Sequence, residues 1–165
     1  HRVININTAQ EMLEACCDNL PVDIAVCAAA VSDWRVKTYE TNKIKKKHST
    51  VPPEFELMEN PDILQTLSNH KKRPNLVIGF AAETENLVAE AKAKILKKNC
   101  DWIVANDVSN PESSFGSDTN KVYIIDRNNT EKWPLTSKKI VADSLVKRIV
   151  KHFTDPEPDQ KVIEK

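Results

Sequence analysis

Apolar and polar positions along this chain follow three rhythms: strict alternation, short apolar runs and helical spacing. Arg2-Val3-Ile4-Asn5-Ile6 alternates and predicts a short strand. Thr8-Ala9-Gln10-Glu11 has the capping-box form, a threonine able to cap with a glutamate three residues on. Ala9, Met12, Leu13, Cys16, Cys17 and Leu20 follow at helical spacing, so a helix runs to about Asn19, ahead of Pro21. Asp23 to Ala30 predicts a buried strand, and Asn75 to Ala82 and Asp101 to Asn106 predict two more, each ending at small or polar residues. Between them, Asn60-Pro61-Asp62 predicts a helix start, with asparagine as N-cap and proline in the first helical position. That helix passes through Ile63, Leu64 and Leu67 to about His70. Leu87, Val88, Ala91, Ile95 and Leu96 mark one face of a helix from about Glu85 to Lys98.

The remaining segments are less regular. Val31 to Pro53 has neither a clean period nor a compact turn, and a loop of that length is usually functional or disordered. Phe55 to Met58 reads as a short strand. After a polar loop from Ser109 to Thr119, Lys121 to Asp126 and Glu131 to Leu135 predict a hairpin around Arg127 to Thr130. Ile140, Val141, Leu145, Ile149 and Phe153 form one face of a last helix, Ser137 to Phe153, and Thr154 to Lys165 reads as a frayed polar tail. Buried strands alternating with amphipathic helices imply an α/β fold with a parallel sheet and right-handed crossovers. Three strand ends then fall on one edge: Ala28 to Asp33, Gly79 to Thr84 and Ala105 to Asp107. Ligands of open α/β sheets bind at that edge.

Composition narrows the function. At 165 residues the chain is the size of one domain, and no internal repeat or second domain is evident. Lys+Arg and Asp+Glu both total 24, so charge gives no argument for nucleic acid or a membrane surface. No apolar run approaches the roughly 18 residues of a membrane span. Cys16, Cys17, Cys27 and Cys100 have no CxxC spacing, which favours reduced thiols in a cytoplasmic protein over a zinc site. Gly79 and Gly116 are the two glycines, so no glycine-rich phosphate loop exists, against a complete dinucleotide-binding fold. The chain opens at His1 directly in an expected strand, as a fragment would.

Candidate chemistry clusters after the strand Asp23 to Ala30. Three alanines lead to Ser32-Asp33 and then to Lys43, Lys45, Lys46 and Lys47. Small residues permit close approach of a ligand to the backbone. A strand-end aspartate with lysines on a long loop suits a polyanion and its metal, the loop closing as a lid. A solvated loop also carries such a lysine run. Lys94 and Lys98 share one helix face, as binding or merely solubilising residues. Phe80 beside Gly79 suits either a base pocket or core packing. Asn106-Asp107 and Asn60-Pro61-Asp62 suit either a site or turn and cap chemistry.

Five segments taken in order are more informative than any one of them. AAAVSDWR, NKIKKK, ENPDIL, VIGFAAET and ANDVSNPESSFGSDTNKVYIID resemble phosphopantothenoylcysteine synthetase, the ligase part of the bifunctional coenzyme A biosynthesis flavoprotein of bacteria. The resemblance covers about residues 2 to 150. It implies a Rossmann-like three-layer α/β fold with a mainly parallel sheet and a C-terminal β-hairpin. The domain would span 1–153, with a flap at about 34–53 and a polar tail at 154–165. The implied reaction is ligation of 4′-phosphopantothenate to L-cysteine with CTP and Mg2+, through an acyl-cytidylate. By motif position the nucleotide contacts would be Cys27, Ala28, Ala29, Asp33, Lys43, Pro61, Asp62, Ile63, Leu64, Phe80, Lys94 and Lys98. Lys43 would also be the catalytic lysine of the flap, and Ala30 would lie near the intermediate.

The resemblance has gaps. The family's glycine-rich segment, and the asparagine and arginine that follow it, have no counterpart here, and Cys27 stands where a small residue such as glycine is expected. A truncated, weakly active or inactive enzyme is therefore expected. The competing expectation is a non-catalytic nucleotide-binding or dimerising module. Members of the family dimerise, and residues 121–135 would suit a homodimer surface. Flavin belongs to the decarboxylase part, which would lie in the same natural polypeptide, and no flavin is expected in this part. Neither nucleic acid nor membrane is an expected partner.

Overall fold

Strand pairing organises the chain in the computed structural model, which describes residues 1–38, 54–84, 86–109 and 117–154. The chain runs through helix α1 (Ala9–Asp18) and strands β1 (Ile24–Cys27), β2 (Trp34–Val36) and β3 (Leu57–Glu59). Helix α2 (Ile63–Ser68), strand β4 (Leu76–Glu83), helix α3 (Leu87–Lys98) and strand β5 (Trp102–Asp107) follow. Strands β6 (Thr119–Asn120), β7 (Val122–Ile125), β8 (Thr130–Lys132) and β9 (Thr136–Ser137) precede helix α4 (Lys138–Thr154).

The main sheet has the order β1-β4-β5-β7-β8. Strands β1 and β4 are parallel, with Ile24 opposite Leu76 and Cys27 opposite Gly79. Asp101 N donates to Val77 O at 2.9 Å and Val108 N to Glu83 O at 3.1 Å, so β5 advances with β4 in the parallel sense. The β7–β8 hairpin adds an antiparallel edge. This is the expected α/β architecture, parallel at its centre with a hairpin after it.

Contacts divide the chain into two units. The first comprises His1–Gly79 and Ile95–Asp101. In it Leu20, Ile63 and Leu67 form a core cluster, against which Met12, Leu13, Cys16, Ala25 and Cys27 pack. The expected capping box is present: Thr8 Oγ1 accepts Glu11 N at 3.1 Å, and Glu11 Oε2 accepts Thr8 N at 3.3 Å. Arg73 reaches both carboxylate oxygens of Asp101 at 2.8 Å, and Asp101 Oδ2 also accepts Val77 N at 2.7 Å. This network ties the start of β4 to the chain entering β5. The second unit comprises Phe80–Lys94 and Trp102–Lys165. Its core is the buried run Ile103, Val104 and Ala105 with Val122, Ile124 and Ile125, together with Val141 and Leu145 of α4.

Several expectations are corrected. Arg2 to Ile6 forms no strand and leaves Val3 80% exposed. Alternation sets which face a residue takes, but a strand also needs a partner, and no described strand pairs with it. The run Asp23 to Ala30 narrows to Ile24–Cys27, and it is buried on one face alone: Ala25 and Cys27 pack on the core cluster, while Ile24 and Val26, on the opposite face, are exposed. Val31 to Pro53 is not wholly irregular, since β2 pairs antiparallel with β3, which is shifted to Leu57–Glu59 from the expected Phe55 to Met58. Helix α2 starts after Asp62 rather than Asn60 and ends at Ser68. Leu96 is 71% exposed, one residue and so 100° round the helix from the buried Ile95. Ile140 and Phe153 are likewise exposed. The β6–β9 ribbon was not expected, two residues being too few to show a period. Among the described residues, no helix is long and apolar enough to cross a membrane.

Candidate functional site

In the first unit the loop after β1 is fastened to the entry of α2. Asn60 Nδ2 donates to Ser32 O at 2.8 Å, and Asn60 N donates to Asp33 O at 2.8 Å. Arg35 donates to Glu59 O at 2.7 Å and reaches Asn60 Oδ1 at 3.3 Å. Asn60 is thus a bracket between two segments, and Asp62 is the N-cap: its Oδ1 accepts Gln65 N at 3.0 Å. Its second oxygen, Oδ2, accepts Lys98 Nζ from the end of α3. Pro61 and Leu64 are half-buried, and Ile63 is buried in the same cluster on which Cys27 packs. Burial pushes the Cys27 thiol up to about 11, with Cys16 and Asp62 adding to the effect. Ala28, Ala29, Ala30 and Asp33 are exposed beyond the strand end. Cys27, Asp62, Ile63 and Lys98 therefore meet in one unit, although 71 residues separate the first from the last.

In the second unit Phe80 is half-buried within β4, and Glu83 closes that strand. Glu83 Oε1 lies 2.5 Å from Lys94 Nζ, a contact that spacing along the chain did not suggest. The pair Asn106-Asp107 is not a turn: both residues belong to β5. Asn106 Oδ1 accepts Asn120 Nδ2 at 3.1 Å, and Asp107 Oδ2 accepts Lys121 Nζ at 2.9 Å. Hydrogen bonding from the Ser109 hydroxyl, and then from Lys121, holds the Asp107 carboxyl below its usual range, and the same pair raises the Lys121 ammonium. An open cleft of about 430 Å³ lies between Thr84, the first turn of α3, Asp107, Ser109 and Tyr123. At its rim Asn86 takes a left-handed backbone conformation, φ 49°, which asparagine tolerates better than most residues. Lys43 and most of the expected flap lie outside the described residues, and the β2–β3 ribbon flanks that segment. The tail from 155 lies outside them too.

Glu83 and Lys121 were missed from sequence because each is defined by its partner, and their one local signal was position beside a strand end. Among the described residues no group of three or more His, Cys, Asp or Glu is arranged to hold a metal ion. A magnesium ion that arrives on nucleotide phosphates needs one or two carboxylates and no such cage. All four cysteines are free thiols.

A mostly parallel central sheet with helices between its strands defines an α/β domain. The chain belongs to the family described as DNA/pantothenate metabolism flavoprotein C-terminal domain, which matches residues 1–153. It is 37% identical over 150 residues to a cysteine/cysteine sulfinic acid decarboxylase from an unknown prokaryotic organism, covering 90% of this chain and 41% of that protein. It is 40% identical over 147 residues to the coenzyme A biosynthesis bifunctional protein CoaBC of Borreliella burgdorferi, covering 88% of this chain and 36% of that protein. The crystal structure of the C-terminal domain of a CoaBC protein matches with a TM-score of 0.71 at 34% identity, covering 92% of this chain and 68% of that one. The chain thus spans about two fifths of the length of the curated relatives it matches.

Proposed function

We propose that this chain is a phosphopantothenate–cysteine ligase domain of coenzyme A biosynthesis that uses CTP. The observation that carries the reading is the meeting of Cys27, Asp62, Ile63 and Lys98 in one unit, since these are motif positions attributed to nucleotide contact. The likeness to CoaBC proteins supports the pathway. In the proposed reaction a carboxylate oxygen of 4′-phosphopantothenate bonds to the α-phosphorus of CTP and pyrophosphate leaves. The cysteine amine nitrogen then bonds to the acyl carbon, the acyl carbon–oxygen bond breaks, and CMP leaves as the nitrogen gives up a proton to solvent.

Two anions must approach one another in the first step, so cations are needed where they meet. Lys94 and Lys98 supply fixed positive charge on α3. Lys43, from the flap, would add an ammonium where negative charge develops. Magnesium, bound with the nucleotide, supplies Lewis-acid neutralisation of its phosphates. The exposed Ala28 to Ala30 segment leaves room for the nucleotide and intermediate, because three methyl side chains directly follow β1. The decarboxylase step and its flavin belong to a separate part of a bifunctional protein.

Calorimetric titration with CTP and with ATP, each with magnesium, tests this reading beside a Lys94→Ala/Lys98→Ala variant. Saturable CTP binding that weakens by about tenfold or more in the variant is expected, since two charge-assisted contacts are lost. If wild type binds neither nucleotide, the reading fails and a non-catalytic module takes its place.

A further inference from the structure

We propose that Glu83 is a positioning residue for the nucleotide site, holding Lys94 so that its ammonium meets a phosphate group. The proposal rests on the ligase reading above and deepens it by one residue. Glu83 is the last residue of β4, and its carboxylate lies 2.5 Å from Lys94 Nζ. The two side chains are unequal: Glu83 is 15% exposed and Lys94 40%. An ion pair between two mobile surface chains orders little. Here the acceptor is sunk at a strand end, and the accessible partner is the long lysine, which makes the carboxylate the anchor. A lysine ammonium has three N–H donors. Glu83 engages one, and among the described residues no further hydrogen bond is made by the other two, which suit phosphate oxygens.

A free lysine stem loses rotamer entropy when a ligand fixes it, and a stem already held loses less, so affinity rises through preorganisation. Neutralising Glu83 at constant shape would leave the cation in place and release the stem. Lys98 has an equivalent acceptor, Asp62, within the first unit. Asp62 also caps α2, so its removal would mix two effects, whereas Glu83 isolates one.

The test is calorimetric titration with CTP and magnesium of wild type, Lys94→Ala, Glu83→Gln, Glu83→Asp and Lys94→Ala/Glu83→Gln, with a thermal melt of each. Glu83→Gln is expected to weaken CTP by about three- to tenfold and Glu83→Asp by less. The double variant should bind no more weakly than Lys94→Ala alone, because residues acting through one contact are not additive. A purely structural role would lower the melting temperature and leave the two losses additive, which overturns the proposal. An unchanged or tightened CTP affinity in Glu83→Gln, with Lys94→Ala weakened, also overturns it while the ligase reading stands. A Lys94→Ala affinity equal to wild type overturns it as well, since nothing is then positioned. Absence of CTP binding by wild type defeats both. If Glu83→Gln does not fold, the same cycle is read with Glu83→Asp, which must weaken CTP only when Lys94 is present.

Discussion

Asp62 divides its two carboxylate oxygens between two elements, Oδ1 on the first turn of α2 and Oδ2 on Lys98. Asp62→Asn keeps an acceptor for Gln65 N and removes the charge facing Lys98. It should melt close to wild type yet bind CTP more weakly, as thermal melts and calorimetry would report. Asp62→Ala removes the cap as well and should cost about 1 kcal/mol of stability in denaturant titration. The thiols offer a second residue-level test. Burial raises Cys27 and Cys100 from 9.0 to about 11. A group raised on folding contributes stability that is complete below its unfolded value and lost as pH rises through the folded one. Stability should therefore fall between about pH 9 and 11, and less so in Cys100→Ala. At neutral pH both thiols should resist iodoacetamide in the native state and react on unfolding, read by mass spectrometry. The capping role was legible as Asn-Pro-Asp, but which residue capped was not. Asn60 was drawn to the Ser32 and Asp33 carbonyls, and sequence spacing carries no information about that contact.

A helix whose first turn is capped by its own neighbours was legible from end to end. Helix α1 begins and ends within a residue of expectation because Thr8 and Glu11 settle its first turn locally. Thr8→Ala should destabilise by about 1 kcal/mol, measured by urea denaturation. Strands were legible most closely where both flanks are paired. Strand β4 is fully buried from Leu76 to Gly79 as its apolar run predicts. Strand β1 has the same apolar character but one covered face: Ala25 and Cys27 pack on the core cluster, and Ile24 and Val26 on the other face meet solvent. The junction of β5 with the segment after it depends on Asp107, whose folded value lies below its unfolded one. Such a carboxylate contributes stability above its unfolded pKa, and the contribution is lost as pH falls through the folded value. Asp107→Asn should be less stable than wild type at pH 7, with the difference closing as acid protonates the wild-type carboxylate. Denaturant midpoints across pH 2 to 7 would test this, and the difference should be small because the pair is partly open to water.

For the whole chain, nucleotide binding and stability are linked by mass action. CTP at about 100 times its Kd should add about 2.7 kcal/mol to unfolding, seen as a raised melting temperature that depends on CTP concentration. CTP that leaves the melt unchanged at millimolar concentration would argue against a nucleotide site. The α/β class, the order of the helices and of strands β1, β4 and β5 among them, the capping box and the hairpin were determined by sequence alone. Each follows from local periodicity or from a residue's reach to its own neighbours. Family membership was equally legible, since motif order is a property of the chain. The tertiary structure decided what lies between distant positions: Lys98 on Asp62, Lys94 on Glu83, Lys121 on Asp107, and which strand ends the sheet order. Those contacts span 11 to 36 residues, beyond the three- and four-residue reach by which a helix face or turn reveals itself in sequence. A charged side chain takes whichever opposite charge the packed backbone brings within reach, and its identity as a site residue is set there.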